Sequence, residues 1–145
     1  MLVLDGIGAG YGGALVLRDL SFAAKAGEVT CIMGRNGVGK TTLMRVIMGL
    51  VRAEKGSVRL NGRELANLPA HKVPAQGIGY VPQGRRLFGP LTVAENLEIG
   101  LMARGKGAAQ REQVLTLFPR LRERLDQVSS TLSGGRSEER RVGKE

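Results

Sequence analysis

The chain has 145 residues, a length typical of one domain, and 42% of them are hydrophobic, which is enough for a single core. Its net charge is +9, but only 3% of residues are aromatic and there is no tryptophan, which argues against sequence-specific nucleic-acid binding. One cysteine and one histidine exclude an internal disulfide and argue against a transition-metal site.

The N-terminal part predicts two short strands. Residues 2–4 and 15–17 are apolar, a glycine-rich stretch over residues 6–13 separates them, and alternation through Ala23 extends the second strand. No basic region precedes an apolar stretch of signal-peptide length, so we expect mature cytosolic sequence. No run of about 18 apolar residues occurs, so we expect no membrane span.

The next predicted elements are a buried strand and a helix. Residues 29–33 are almost all apolar, as in a strand that is covered on both faces, so Cys31 is expected to be a buried, inert thiol. After a glycine-rich loop, one helical face is apolar. Its members are Leu43, Val46, Ile47 and Leu50.

The loop between this strand and this helix matches the pattern G-x-x-x-x-G-K-[ST], which in this setting cradles phosphates. Its residues are Gly34, Arg35, Asn36, Gly37, Val38, Gly39, Lys40 and Thr41, followed by Thr42. Glycines let backbone N–H groups turn inward, and the helix N-terminus adds partial positive charge. We expect Lys40 to reach the β and γ phosphates of ATP, Thr41 to ligate Mg²⁺, and Thr42 to contact an inner phosphate.

Further strands are predicted on the C-terminal side of this helix. Residues 57–60 form a strand that ends at Asn61-Gly62, a hairpin-turn sequence. Residues 78–81 form another apolar strand, which Pro82 ends. His71 lies in a polar stretch and is expected on the surface.

The last third of the chain predicts helices. Thr92 and Glu95 form a capping box that begins a helix ending near Ala103, and Pro119 should kink or divide the helix that follows. The second helix has one apolar face, composed of Val114, Leu117, Phe118, Leu121 and Leu125. Strand and helix alternate around the phosphate loop, so we predict an α/β fold with an antiparallel β portion on its N-terminal side.

Four segments, in this order, resemble the ATP-binding subunit of ABC transporters. They are Tyr11 with its flanking glycines, the phosphate loop, residues 80–83 with sequence YVPQ, and residues 132–135 with sequence LSGG. Each segment alone also has a simpler structural explanation: Tyr11 as a packed loop tyrosine, Gln83 as a solvated polar residue, and the Ser-Gly-Gly sequence as a turn. Their order and spacing favour the resemblance, which implies a P-loop NTPase core of the ABC ATPase type.

The resemblance implies a role for each matching residue. Tyr11 would stack on adenine, and Gln83, the counterpart of the Q-loop glutamine, would contact Mg²⁺ or the attacking water, which makes it a catalytic candidate beside Lys40. Ser133, Gly134 and Gly135 would bind the γ-phosphate of ATP held by a second ATP-binding subunit, identical or different. Two ATP molecules would thus lie between the subunits, and their hydrolysis would drive transmembrane permease subunits.

A narrower resemblance points to importers of branched-chain amino acids and of urea. It rests on the phosphate loop, on residues 80–88 and on residues 91–97, with Arg35, Val38 and Gln83 favouring the urea branch. The implied location is cytoplasmic, on the inner face of the cell membrane. The solute does not touch this subunit, so these residues do not define it.

The sequence departs from the family in its last part. No apolar strand ending in Asp-Glu follows the phosphate loop, and the switch histidine is missing because His71 comes too early. At Arg136 the family expects Gln or Glu and then an apolar helix, but residues 136–145 read RSEERRVGKE. We therefore predict a partial ATP-binding domain over residues 1–135 and a disrupted or foreign charged tail over residues 136–145.

Three functions remain open at this point. The parent protein would be the ATPase subunit of a bacterial importer, whereas the chain as written would be a fragment that binds nucleotide without hydrolysing it. A soluble ABC-type ATPase outside transport, including one engaged with nucleic acid, is the third.

Overall fold

The computed structural model describes residues 1–84, 87–102 and 107–132. The chain divides into two compact units, Met1–Tyr80 and a second that begins at Val81, and each is treated separately. Within the described ranges, no helix is both long and apolar enough to cross a bilayer.

The first unit is built on a four-stranded antiparallel sheet with the order β2-β1-β3-β4. The strands are β1 (Leu2–Tyr11), β2 (Ala14–Ala24), β3 (Ala53–Leu60) and β4 (Arg63–Glu64). The predicted antiparallel portion is therefore present, although β1 and β3 are longer than the sequence pattern indicated. Most of the glycine-rich stretch over residues 6–13 belongs to β1, where it coincides with shifts of register, and only Gly12 and Gly13 form the turn to β2.

The Asn61-Gly62 turn joins β3 to β4, as predicted. Both residues have positive φ, 50° and 81°, the combination that a two-residue hairpin turn requires. The Asn61 side chain also accepts a hydrogen bond from the N-terminal amine of Met1 at 2.5 Å, which fixes the start of β1 beside the turn.

Helix α1 (Lys40–Ile47) packs its apolar face on this sheet. Leu43, Val46 and Ile47 are buried there, together with residues of β1 to β3. Leu50 was expected on the same face but is 56% exposed. The helix ends before it, because Gly49 adopts a left-handed conformation and Leu50 lies past the last turn.

Two predicted strands are not observed. Residues 29–33 and 78–81 pair with no strand among the described residues, and both runs leave large side chains in solvent: Val29 is 99% exposed and Val81 93%. Cys31 is exposed rather than buried. A strand exists only where a neighbour accepts and donates its backbone hydrogen bonds, so an apolar run alone is insufficient. His71 lies exposed in a short 3₁₀ segment, Ala70–Lys72, as expected.

The second unit contains the helices predicted for the C-terminal part. They are α2 (Val93–Met102), α3 (Ala108–Leu117) and α4 (Pro119–Arg122). The capping box is present: Glu95 Oε2 accepts from Thr92 N–H at 2.7 Å, and Thr92 Oγ1 accepts from Glu95 N–H at 3.2 Å. The bonds that Thr92 N–H and the Thr92 hydroxyl donate to Glu95 Oε2 lower the pKa of the Glu95 carboxyl. Pro119 divides the second helix, as predicted, and begins α4.

The apolar face predicted for the second helix is wrong in part. Leu115 is buried, whereas Leu117 and Phe118 are more than half exposed. The division at Pro119 breaks the helical periodicity on which the prediction depended, since residues on either side of the break no longer share one helical axis.

Backbone pairing holds the start of α2 against a short 3₁₀ segment, Ser129–Thr131. Val93 N–H donates to Gln127 O at 3.0 Å, and Ser129 N–H donates to Leu91 O at 2.9 Å. The segment before α2 and the segment after α4 therefore run antiparallel beside each other.

Candidate functional site

The glycine-rich loop leads directly into α1, and its backbone depends on glycine. Gly37 has a φ of 83° and Gly39 a φ of 103°, both in the region that L side chains rarely adopt. A Cβ on Gly39 would lie 2.7 Å from Leu17 Cδ2 and 3.2 Å from Val16 Cγ1. Strand β2 therefore supports the loop so closely that Gly39 has no room for a side chain.

The Lys40 side chain turns back over the loop. Its ammonium donates to Gly34 O at 2.6 Å and to Arg35 O at 2.5 Å. Lysine has three N–H donors, so these two bonds leave one for an anion at the centre of the loop. The positive charge is thus held where the loop closes.

The N-terminus of α1 is open to an anion. The first backbone hydrogen bond of the helix runs from Leu43 N–H to Gly39 O at 2.8 Å. The N–H groups of Lys40, Thr41 and Thr42 therefore have no partner within the helix. The capping residue is Gly39, which has no side chain to occupy them, and the first turn contains no acidic residue. The partial positive charge of the helix end is therefore uncompensated within α1.

The two threonines that begin α1 differ in exposure. Thr41 is exposed, whereas Thr42 is buried against the rest of the first unit. A threonine hydroxyl is a hard oxygen donor of the kind that Mg²⁺ accepts, and Mg²⁺ commonly keeps one or two protein ligands beside phosphate oxygens and water. The exposed Thr41 beside an anion site thus fits a magnesium–phosphate group, while the surroundings of Thr42 restrict its hydroxyl.

Tyr11, at the end of β1, contacts the same helix. Its hydroxyl accepts a hydrogen bond from Arg45 Nη1 at 3.3 Å, and the residue is 48% exposed. Hydrogen bonds from Arg45 and then from Thr42 lower the pKa of the Tyr11 hydroxyl. Tyr11 and the phosphate loop therefore meet at one helix, although 34 positions separate Tyr11 from Arg45.

The remaining predicted site residues are placed as follows. Arg35, Asn36 and Val38 are exposed in the loop. Gln83 is exposed in a bend of the second unit. Ser133, Gly134 and Gly135 lie outside the described residues. The structure thus brings together Tyr11, the loop, Lys40, Thr41 and Thr42.

Sequence reasoning missed two polar residues. Arg45 stands three positions after Thr42 on the same side of α1, a spacing visible in the sequence, but its pairing with Tyr11 is not. Asn96 bonds to both backbone groups of Phe88 and to Ser129 Oγ. An asparagine inside a predicted helix is a usable signal, because its side chain competes for backbone groups.

Comparison with known sequences gives consistent matches. The family model described as "ABC transporter" matches residues 17–143. The chain is 40% identical to the high-affinity branched-chain amino acid transport ATP-binding protein BraG of Pseudomonas aeruginosa, covering 99% of this chain and 63% of BraG. It is 38% identical to the probable branched-chain amino acid transport ATP-binding protein LivF of Archaeoglobus fulgidus, covering 89% of this chain and 56% of LivF.

Solved structures match the same family. An ATP-binding subunit of an ABC transporter superposes with a TM-score of 0.79 at 31% identity, covering 92% of this chain and 56% of the other. A nucleotide-free ATP-binding cassette gives a TM-score of 0.79 at 27% identity, covering 99% and 63%. The predicted α/β fold of the P-loop ATPase type is confirmed. The chain spans less than two thirds of the length of each of these relatives.

Proposed function

The chain belongs to the ABC transporter ATP-binding family, and from that premise we propose that it binds ATP with Mg²⁺ at the loop from Gly34 to Thr42. The observation that carries the proposal is the Lys40 ammonium, held by Gly34 O and Arg35 O at the open N-terminus of α1. A triphosphate binds where several N–H donors and a cation lie close together, and the open N-terminus of α1 and the Lys40 ammonium supply these groups.

Each residue would make a distinct contribution. The loop amides and Lys40 bind the triphosphate and neutralise its charge, and Thr41 supplies an oxygen ligand to Mg²⁺. The magnesium ion, when bound, spreads the negative charge of the phosphate oxygens. Tyr11 offers a half-exposed ring to the adenine, and Thr42, at the start of α1, contacts an inner phosphate.

We infer that residues 1–135 are the N-terminal part of a longer ATP-binding domain and that residues 136–145 are not part of it. The exclusion of residues 136–145 rests on their charged sequence alone, since the family model matches through residue 143. The inference of a longer domain rests on the relatives, of which the chain spans 63% or less in the cases above. It also rests on the sequence, in which no apolar strand ending in Asp-Glu follows the loop. ATP hydrolysis is therefore proposed for the complete protein, with Lys40 and Gln83 as catalytic residues and Gln83 as a further Mg²⁺ ligand.

For the complete protein we propose import of branched-chain amino acids. BraG and LivF are both named as branched-chain amino acid transport proteins and match most of this chain. Proteins named for Fe(3+) and for ribose or galactose import also match, at 35% and 36% identity. Urea is the alternative solute, because Arg35, Val38 and Gln83 resemble the urea branch of these importers.

The proposed assembly is a pair of ATP-binding subunits on transmembrane permease subunits at the cytoplasmic face of the membrane. A related cassette bound to ADP and phosphate is described as dimeric, at 25% identity and a TM-score of 0.76. Ser133, Gly134 and Gly135 would then contact the nucleotide of the second subunit, identical or different.

A second candidate function applies to the chain as written: a nucleotide-binding fragment that does not hydrolyse ATP. The exposed run at residues 29–33, which pairs with no strand among the described residues, and the exposed Val81 favour it, because a complete sheet would be expected to cover apolar strands. A soluble ABC-type ATPase outside transport is the remaining alternative. Binding of the complete protein to permease subunits would favour the transport function over this alternative.

The experiment compares Mg-ATP binding and turnover by the 145-residue chain with those of Lys40→Ala. Loss of charge-assisted bonds should weaken binding about tenfold or more. Lys25→Ala is the matched control, since Lys25 is an exposed lysine outside the loop, and it should bind like the parent chain.

Two outcomes would count against the proposal. Equal ATP affinity in the parent chain and in Lys40→Ala would refute the site. Turnover that depends on Lys40 in this chain would refute the inference that its hydrolytic part is missing.

A further inference from the structure

Arg45 and Tyr11 form a contact that neither the phosphate loop nor the core requires. Arg45 Nη1 donates to the Tyr11 hydroxyl at 3.3 Å, and both residues are exposed. An exposed hydrogen bond of this length contributes little to the stability of a fold. The core of the first unit is formed by other residues, so the contact is better explained by what it does to the Tyr11 ring.

The contact limits the freedom of that ring. Tyrosine has two side-chain torsions, and a hydrogen bond at the hydroxyl restricts both. Tyr11 ends β1, whereas Arg45 lies one turn after Thr41 on α1, so the bond ties the ring to the helix that carries the phosphate loop. The ring is half exposed, which leaves surface for a flat ligand.

We propose that Arg45 is a positioning residue that holds the Tyr11 ring where it stacks on the purine base of a nucleotide bound at the phosphate loop. This inference rests on the proposed function and deepens it, since it concerns the base rather than the phosphates. The covalent structure of a nucleotide limits the distance between its base and its triphosphate. A tyrosine ring held by α1 keeps a fixed distance from the phosphate loop, because that loop leads into the same helix.

Nucleotide binding tests the proposal when phosphate binding is measured separately. Affinities for Mg-ATP and for magnesium tripolyphosphate, which has no base, are compared in the parent chain and in Arg45→Gln. Loss of the Arg45 bond should weaken ATP about three- to tenfold and leave tripolyphosphate unchanged. Arg45→Lys, which keeps the charge and a donor, should recover part of the ATP affinity, and Arg52→Gln serves as an exposed-arginine control.

A double substitution separates positioning from other roles. Tyr11→Phe removes the hydroxyl and keeps the ring, so adding Arg45→Gln to Tyr11→Phe should cause no further loss of ATP affinity. A merely structural role for Arg45 would weaken both ligands alike.

A spectroscopic readout follows from the composition, because the chain has two tyrosines and no tryptophan. In Tyr80→Phe the remaining tyrosine absorbance belongs to Tyr11. Arg45→Gln should raise the pH at which that absorbance shifts, since the bond from Arg45 lowers the pKa of Tyr11.

Contrary results are distinguishable from failure of the proposed function. If the parent chain binds both ligands and Arg45→Gln binds ATP equally well, the positioning role is wrong and the site stands. If Arg45→Gln weakens ATP and tripolyphosphate equally, Arg45 acts on the phosphates or on the structure of the loop rather than on the base, and the proposal is also wrong. If the parent chain binds neither ligand, the proposed function and this inference fail together.

Discussion

Asn96 Nδ2 donates to Ser129 Oγ at 2.9 Å, which joins α2 to the 3₁₀ segment that precedes Ser133 in the sequence. The same side chain accepts from Phe88 N–H at 3.0 Å and donates to Phe88 O at 3.0 Å. One asparagine thus connects the segment after Gln83 with the segment before Ser133. Both lie within the second unit.

Asn96→Ala should loosen these segments. It removes bonds to Phe88 and leaves the buried Ser129 hydroxyl without its amide donor, at a cost of about 1–3 kcal/mol. Hydrogen exchange measured by segment should accelerate for residues 88–92 and 125–130. Gln113→Ala, an exposed position on α3, is the control and should leave exchange unchanged. Unaltered protection in Asn96→Ala would show that backbone pairing alone fixes these segments.

The phosphate-loop glycines should differ in their tolerance of alanine. In Gly37→Ala the added Cβ has no atom within 4 Å, so only the left-handed backbone conformation opposes the substitution. That conformation should cost about 1–2 kcal/mol of stability. Gly39→Ala has the same backbone problem and also a clash with Leu17, so it should destabilise the first unit more. Gly79→Ala, in open space without positive φ, should fall within about 0.5 kcal/mol of the parent chain in urea denaturation. Equal losses for Gly37→Ala and Gly39→Ala would contradict the packing argument.

Acid should weaken the first unit through Glu64. Burial opposes ionisation of this carboxyl, but bonds from the N–H groups of Ala66 and Val58, with the nearby Arg59 charge, lower its pKa below the ordinary value of 4.5. A lowered pKa in the folded state means that the stabilisation is complete above about pH 4.5 and is lost as pH falls through the lowered value.

Glu64→Gln should therefore be less stable than the parent chain at pH 7, and the difference should shrink as pH falls below the ordinary pKa of 4.5. Thermal denaturation across this pH range measures it. Glu54→Gln, on β3, controls for the loss of one negative charge. A difference between parent and Glu64→Gln that stays constant with pH would rule out ionisation of Glu64 as the cause.

The exposed run at residues 29–33 should accept polar substitutions. Val29→Thr exchanges a methyl for a hydroxyl at a residue that is 99% exposed, so stability should change by less than about 0.5 kcal/mol while solubility rises. Val58→Thr makes the same exchange at a fully buried position and should cost about 1–3 kcal/mol. Comparable losses of stability in the two variants would show that Val29 is covered in solution.

The features predicted from sequence depend on local chemistry. The Asn61-Gly62 turn, the capping box of Thr92 and Glu95 and the division at Pro119 each follow from residues close together in the chain. The phosphate loop was recognisable for the same reason, since its glycines and Lys40 form one short pattern.

The features that sequence reasoning missed depend on distant partners. Residues 29–33 are apolar enough for a strand, but pairing needs a neighbour that the pattern does not reveal, and Cys31 is exposed with them. The contact between Tyr11 and Arg45 spans 34 positions and becomes visible only when β1 and α1 are placed side by side.

The central claim is that the amides from Gly34 to Thr42 and the Lys40 ammonium enclose the triphosphate of ATP. Amide resonances of the isotopically labelled chain, followed while Mg-ATP is added, test it most directly. We predict that the largest shifts fall on residues 34–42 and that Lys40→Ala greatly reduces them. Binding of Mg-ATP with those amides unchanged, and with the largest shifts elsewhere, would contradict the account.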